Sequence, residues 1–251
     1  MFGFFKKNTP KQADHFLADY SEIKVDFHSH LIPGIDDGVQ KIEESITILR
    51  NLKNLGYEKV ITTPHIMTEA YNNNPEIIQK GFEEVKKRLI EEKIDIEFQY
   101  AAEYYIDDTF VNRMKDEKFL TFGENYLLVE KSMFQESDNF KEIAYNLLVK
   151  GYRVIVAHPE RYKYLYEKSK IHEFEKLKES GVWMQVNLFS LVGLYGKQSQ
   201  EIAEKLIDAD LVDFVSSDIH KPDQLEYLRK ALESPYLYKL LKSGSLLNHT
   251  I

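Results

Sequence analysis

The sequence predicts a single α/β domain whose parallel strands close into one barrel, and three observations carry that prediction. From residue 23 onward, short β-rich runs alternate with longer segments of helical periodicity, the pattern left by strands joined through crossover helices. The 251 residues match the roughly 250 of a typical α/β barrel. No internal repeat and no Pro/Gly/Ser-rich linker divides the chain, so residues 1–22 read as a leader and 23–251 as one barrel domain. An open doubly wound sheet is the competing architecture, but no GxGxxG, GxxxxGKS or GxxxxGKT loop follows any strand to cradle a phosphate.

The first strand is expected over 23–27, with the sequence IKVDF. A helix over 42–55 follows, because Ile42, Ile46, Leu49, Leu52 and Leu55 recur on one face and Gly56 supplies the stop. The second strand, KVITT, occupies 59–63, and the helix behind it spans 75–92. Strands over 96–102 and 126–129 precede a helix over 139–150, which Gly151 ends through its ease at positive φ. The fifth strand lies at 153–157, a helix over 171–179 runs up to Gly181, the sixth strand covers 182–186 and a helix covers 199–208. A seventh strand, 212–216, and a long helix over 222–241 complete the set.

With 43% hydrophobic and 29% charged residues, the composition is that of a globular protein with a real core, which excludes disorder and collagen-like architecture. Thirty-three Lys and Arg against 41 Asp and Glu give a formal charge of −8, so the long-range field repels polyanions and disfavours a nucleic-acid partner. There is no cysteine, which rules out disulfides, zinc–thiolate sites, iron–sulfur clusters and any thiolate nucleophile. No apolar run reaches the roughly 18 residues of a spanning helix, and no signal peptide is legible, so the expectation is a cytoplasmic protein. The opening MFGFFKK sets three Phe beside two Lys but is too short for stable membrane insertion.

Parallel α/β folds present their chemistry at the carboxyl ends of the strands. Here the first strand delivers His28 and His30, with the acidic turn Asp36, Asp37, Gly38 shortly after; the second runs into His65; the third ends at Glu103, the fourth at Glu130 and the fifth at His158. The seventh is followed by Asp218 and His220, while the sixth ends in Asn187, a weak ligand better suited to hydrogen-bonding a neighbour. Each residue alone has an ordinary structural reading, as a satisfied histidine or a solvated acid. Together, five of the eight histidines fall at strand ends, and only His15, His172 and His249 lie elsewhere. Imidazoles and carboxylates without thiolates select divalent ions such as manganese, iron or zinc, and nine donors are too many for one ion, so two or three ions are expected. Glu103, central in strand order, is placed to bridge two of them.

The segments VDFHSH, DDG, TTPH, AAEYY, LLVEKSM, VIVAHPERY, QVN and SSDIH occur, over residues 24–220, in the order found in the polymerase and histidinol phosphatase (PHP) superfamily. More narrowly, the chain resembles the bacterial manganese-dependent protein-tyrosine phosphatases of capsular and exopolysaccharide loci. The resemblance implies a distorted (β/α)7 barrel of PHP type with its metals at the C-terminal ends of the strands. It implies a first metal on His28, His30, Glu103 and Asp218, a second on Glu103, Glu130 and His158, and a third on Asp37, His65 and His220, with manganese ahead of iron, zinc or magnesium. Arg161 matches the phosphate-binding arginine of that family; the ordinary alternative is an ion pair with Glu160 or Glu167. The family carries a further arginine after the Asp–His pair, where this chain reads KPDQLEYLRK and offers only Lys221 as a point charge.

The implied activity is hydrolysis of phosphotyrosine by a metal-bound hydroxide, on the tail of an autophosphorylated kinase controlling capsule or exopolysaccharide synthesis. Two other enzymatic readings stay open, a small-molecule phosphomonoesterase such as histidinol phosphatase and, more remotely, a PHP-type nuclease. A non-catalytic metal-binding partner protein is the third class. Met67, Tyr71, Tyr104, Tyr105, Met133, Phe134, Leu188, Phe189 and Leu191 follow the ligand positions and could wall the site. The alternation Tyr162, Tyr164, Tyr166 reads as a half-exposed amphipathic segment. The sequence sets no subunit number.

Overall fold

The computed structural model describes residues 16–135, 139–166 and 171–251, and the MFGFFKK segment lies outside them. Among the described residues the chain runs β1 (Val25–Asp26), α1 (Ile42–Asn54), β2 (Lys59–Thr62), β3 (His65–Ile66), α2 (Pro75–Glu91), β4 (Glu97–Tyr100), β5 (Glu103–Tyr105) and α3 (Asp108–Arg113). It continues through β6 (Tyr126–Glu130), α4 (Phe140–Val149), β7 (Arg153–Ala157), α5 (His172–Glu179), β8 (Trp183–Asn187), α6 (Lys197–Asp208), β9 (Phe214–Ser216), α7 (Leu225–Ala231) and α8 (Pro235–Ser243). No helix among these residues is long and apolar enough to cross a membrane.

Every ladder is parallel, as the alternation predicts, but the strands form two sheets rather than one closed ring: β1-β2-β4, and β3-β5-β6-β7-β8-β9. The parallel plan is as expected, and its ladders divide into two sheets whose strand lines touch at two seams. At the first seam, Pro64, which has no N–H to donate, directly follows the second expected strand and separates β2 from β3. The neighbouring strand breaks in step at Ala101–Ala102, between β4 and β5. Ala101 N donates to Thr62 O at 2.9 Å and Glu103 N to Pro64 O at 3.2 Å, which carries the hydrogen bonding across the break. At the second seam, the first and last strand lines touch through one parallel bridge, Ser29 with Ile219.

Side chains satisfy much of the remaining backbone at that second seam, as buried polar groups require. Ser216 Oγ accepts from Phe27 N at 3.0 Å and from His28 N at 2.8 Å while donating to Asp26, and Ser217 Oγ donates to the other oxygen of Asp26. At the opposite end of the strands, Asn248 donates to Val25 O at 3.0 Å and Val215 O at 2.7 Å. The two strand ends that carry His28, His30, Asp218 and His220 are thus clasped by a buried carboxylate and two hydroxyls instead of a continuous ladder.

The strands are buried on both faces, and alternate residues divide between two cores. Leu127, Val129, Val154 and Val156 pack against the helices, whereas Phe27, Ile61, Leu128, Ile155, Ala157 and Phe214 fill a separate inner cluster. There the Phe27 ring stacks on Phe122 at 5.1 Å and meets Phe214 edge-on at 5.3 Å. On α1, Ile46, Leu49 and Leu52 face the core as the periodicity predicts, each burial contributing about 1.5–3 kcal/mol, and Ile42 and Leu55 are partly buried against it.

Two helical expectations change. The long helix over 222–241 is divided into α7 and α8 because Pro235 cannot continue a helix but suits its first turn. The six-residue α3 has too few turns to show a periodicity and owes its start to Asp107, whose side chain accepts from Phe110 N at 2.7 Å. In the tyrosine alternation at 162–166, Tyr164 and Tyr166 are half-buried as expected but Tyr162 is fully buried, and the segment forms the 3-10 turns Pro159–Arg161 and Lys163–Leu165.

Candidate metal centre

All nine predicted donors come together: His30, Asp37, His65 and His220; His28, His30 and Glu103; His28, His158 and Asp218; and His65, Glu103 and Glu130 form overlapping groups whose donor atoms lie within 4.8 Å of one another. The overlaps differ from the partition the resemblance implies, since His30 stands also with Asp37, and His65 also with Glu103 and Glu130. The donors form one continuous cluster centred on Glu103.

Several imidazoles are aimed by a partner on the opposite nitrogen. His28 Nδ1 is 2.9 Å from Gln185 Oε1, an acceptor, so Nδ1 carries the proton and Nε2 turns its lone pair inward. His30 Nδ1 lies 2.8 Å from Asp36 Oδ2 and His220 Nδ1 lies 2.8 Å from Asp218 O, with the same consequence. Asp36 also accepts from His65 N at 3.0 Å and Gly38 N at 2.9 Å. The acidic turn thereby divides its labour. Asp36 is a buried brace, whereas half-exposed Asp37 points its carboxylate at His65 Nε2, 3.6 Å away, and His220 Nε2, 3.5 Å away. Gly38 is required at the third position because a Cβ would stand 2.3 Å from His30 O.

The donor set fits divalent ions on a direct observation. His28 Nε2, His30 Nε2, His65 Nδ1 and Glu103 Oε2 are buried and make no hydrogen bond, although they are close together. Glu103 Oε2 is 3.1 Å from His28 Nε2, 3.5 Å from His30 Nε2 and 3.2 Å from His65 Nδ1, while Asp218 Oδ1 is 3.3 Å and 3.4 Å from the first two nitrogens. Such lone pairs converge on shared points rather than on each other. Around an ion with bonds of roughly 2.0–2.2 Å, neighbouring ligand atoms stand about 3.0–3.5 Å apart, which is the spacing found here.

Charge points the same way. Burial alone would push Glu103 up, yet His28, His65 and His158 around it hold its carboxyl well below the usual carboxylate range. Glu130 goes the other way, driven well up by burial and then by the negative charge of Glu103. Burial would lower His28 and His30, but the neighbouring carboxylates raise both. His158 is pushed down to about 4 by burial and by Arg161. A buried nest of Asp36, Glu103, Glu130 and Asp218 with one guanidinium beside it is a site whose charge favours bound cations.

His158 and Asp218 both adopt left-handed backbone, with φ of 32° and 56°, a conformation that costs a non-glycine residue about 1–2 kcal/mol. Packing and hydrogen bonds around them hold the strain: Asp218 N donates to His28 O at 2.8 Å, and its Oδ2 accepts from Arg161 Nη1 at 2.8 Å and Asn187 Nδ2 at 2.7 Å. Asn187 is thus a hydrogen-bonding support, as its strand-end position predicts. Arg161 pairs with Asp218 and not with Glu160, whose Oε1 accepts from Ser190 Oγ and Asn187 N; Glu167 lies outside the described residues.

The cluster opens into a cavity of about 340 Å³ lined by Asp37, His65, Glu103, Glu130, His158, Asp218, His220 and Arg161. Met67, Tyr71, Tyr105, Met133 and Phe134 form its apolar side. Four expected wall residues belong elsewhere. Tyr104 is buried with its hydroxyl accepting from Leu120 N, and Leu188, Phe189 and Leu191 are core. Lys221 is exposed and absent from the lining, so it does not supply a second cation at this cavity. Sequence reasoning missed Asp36 as a brace and Gln185 altogether, although Gln185 lies two residues before Asn187 and so on the same face of β8. It also missed Tyr195, for which no local pattern gives a signal.

The family model for capsular polysaccharide synthesis, CpsB/CapC, matches residues 24–235, which takes in every residue of this centre. The chain belongs to the CpsB/CapC family. Tyrosine-protein phosphatase YwqE of Bacillus subtilis is 29% identical over 238 residues, covering 90% of this chain and 93% of YwqE. A solved structure from a study of YwqE from Bacillus subtilis and CpsB from Streptococcus pneumoniae, described as metal-dependent tyrosine phosphatases, superposes with a TM-score of 0.78 at 28% identity, covering 89% of each chain. The histidinol phosphate phosphatase of Lactococcus lactis, solved with zinc, L-histidinol and phosphate, shares the fold at a TM-score of 0.52 and 12% identity, covering 84% of this chain and 93% of that one. This chain has no cysteine, so no thiolate of its own stands at the centre.

Proposed function

We propose that this CpsB/CapC chain is a metal-dependent protein-tyrosine phosphatase, and that its two sheets with their two seams are the distorted (β/α)7 barrel of the PHP type. The observation that carries the reading is the convergence of unpaired buried donor atoms on shared points beside Arg161, at the floor of a cavity with an aromatic and thioether side. His28, His30, Glu103 and Asp218 would hold one ion, Glu103, Glu130 and His158 a second, and Asp37, His65 and His220 a third, with manganese the expected metal. When bound, such ions lower the pKa of a coordinated water and offset phosphoryl charge.

The chain's own groups do the rest. Arg161 presents a planar fork suited to two phosphoryl oxygens at once. Gln185 and Asp36 keep Nε2 of His28 and His30 turned inward by holding Nδ1 of each. A phenol of pKa near 10 leaves far more readily than an alcohol, so the site needs no strong general acid for the leaving oxygen. With no cysteine, attack proceeds without a phosphocysteine intermediate. The physiological substrate is taken to be the phosphorylated tyrosine tail of a kinase acting in capsule or exopolysaccharide synthesis, in the cytoplasm.

The test is metal analysis of the purified protein combined with turnover on a phosphotyrosine peptide, a phosphoserine peptide and histidinol phosphate. The reading requires bound or recruitable divalent ions and selective release of phosphate from the phosphotyrosine peptide. Preference for histidinol phosphate would replace it with a small-molecule phosphomonoesterase, and metal binding without turnover of any of the three would replace it with a binding protein.

A further inference from the structure

Arg161 stands on the face of Tyr195, with Cζ 4.2 Å from the ring centroid, while its Nη1 donates to Asp218 Oδ2 at 2.8 Å. The Tyr195 hydroxyl is 3.4 Å from the same Asp218 oxygen. Tyr195 belongs to the loop between β8 and α6, which is tied down locally: Leu194 N donates to Phe189 O at 3.1 Å and Gly196 N to Gly193 O at 3.0 Å. Gly193 and Gly196 adopt φ of 76° and 93°, so the loop reverses sharply on both sides of the ring before α6 begins. An arginine side chain carries several rotatable bonds, and a single hydrogen bond at one Nη does not fix its plane. A ring beneath the guanidinium does, because the cation is attracted to the π face and loses its freedom to swing away.

We propose that Tyr195 is a positioning residue, the platform that holds the Arg161 fork in the cavity for capture of the phosphoryl group. The proposal rests on the reading above, in which Arg161 binds phosphate. It assigns the contribution of Tyr195 to the ring face and not to the hydroxyl, since 3.4 Å from Asp218 is a weak contact beside the Asn187 and Arg161 bonds that the same oxygen accepts. It also predicts that Tyr195 acts on phosphate affinity and not on ion binding, because the inward-facing Asp218 Oδ1 is not the oxygen it approaches.

The test uses the full chain loaded with manganese, with Tyr195→Phe, Tyr195→Leu, Tyr195→Met and Arg161→Ala compared to the parent. Inorganic phosphate affinity is read by calorimetry and by inhibition of aryl phosphate hydrolysis, and bound manganese is measured in the same preparations. Tyr195→Leu and Tyr195→Met should weaken phosphate binding and raise KM on the order of tenfold, with kcat less affected and manganese content unchanged. Tyr195→Phe should restore phosphate affinity to within about twofold of the parent, since the ring face is kept. Parent-like phosphate binding in the Leu and Met variants, alongside weakened binding in Arg161→Ala, overturns the platform and leaves the role of Arg161 standing. Unchanged binding in Arg161→Ala overturns both. A Phe variant as weak as Leu, or loss of manganese in any Tyr195 variant, also overturns it, because the hydroxyl or the metal cluster would then be what Tyr195 serves.

Discussion

His28 and Gln185 share a buried hydrogen bond of 2.9 Å that decides which imidazole nitrogen faces the centre. Gln185 passes its own Nε2–H to Asn187 Oδ1 at 2.7 Å, and Asn187 in turn donates to Asp218 Oδ2 at 2.7 Å. One amide relay therefore orients ligands at both ends of the chain. Replacing Gln185 by Leu frees His28 to take the other tautomer and removes the brace from Asn187. Metal affinity should fall about 10- to 100-fold, as for other supports of ligating histidines, with the fold intact by circular dichroism. Metal titration checks this, and parent-like affinity would remove Gln185 from the centre.

His30→Ala or Asp218→Ala should abolish turnover and lower metal content together. Each residue supplies an atom to the convergent cluster, and Asp218 also anchors Arg161. Arg161→Ala should separate the two properties, keeping the metals while losing phosphate capture, because its guanidinium contacts Asp218 only through Oδ2, on the side away from the histidines. Metal analysis beside steady-state kinetics distinguishes the cases; full activity in either ligand variant refutes the assignment.

Gly38→Ala tests the acidic turn. The new Cβ would stand 2.3 Å from His30 O and 2.5 Å from His30 Cβ, both tied to a ligand with no room to move. The turn must open to admit it, at a cost of about 1–3 kcal/mol, and Asp36 must loosen its hold on His30. A lower melting temperature with weaker metal binding is the expected result, and a variant that melts and binds metal like the parent would show that the turn yields freely.

These cases show which parts of the molecule a one-dimensional reading reaches. Apolar runs such as VIVA and the strand-end positions of His28, Glu103 and His158 follow from local rules, so the parallel plan and the meeting of the nine His, Asp and Glu side chains were legible. The break at Pro64 was visible as a residue, but its effect on pairing depends on the neighbouring line also breaking at Ala101–Ala102, which no local rule announces. Asp26 read as an ordinary strand residue because its partners, Ser216 and Ser217, lie about 190 positions away. Tyr195 and Arg161 meet through a loop whose path is set by two glycines and by packing, and spacing carries no trace of that contact.

Glu160 gives the pH dependence. Burial pushes its carboxyl from an ordinary 4.5 up to about 7, against the opposing effect of Ser190 and the Asn187 amide; Oε1 is hydrogen-bonded and Oε2 is buried without a partner. The folded chain therefore holds this proton more tightly than the unfolded chain. That contribution to stability is fully present below pH 4.5 and is lost as pH rises through about 7, a change of up to about 3 kcal/mol, since each tenfold difference in proton affinity is worth about 1.4 kcal/mol. Glu160→Gln keeps an oxygen for Ser190 and Asn187 but has no proton to lose. At a fixed free manganese concentration the metal ligands are common to both proteins, so their titration cancels in the comparison. The melting temperature of Glu160→Gln, relative to the parent, should rise from pH 5 to about pH 7 and level off towards pH 8. A difference that stays flat across that range would mean that Glu160 titrates outside it and that its burial is compensated by a partner other than Ser190 and Asn187.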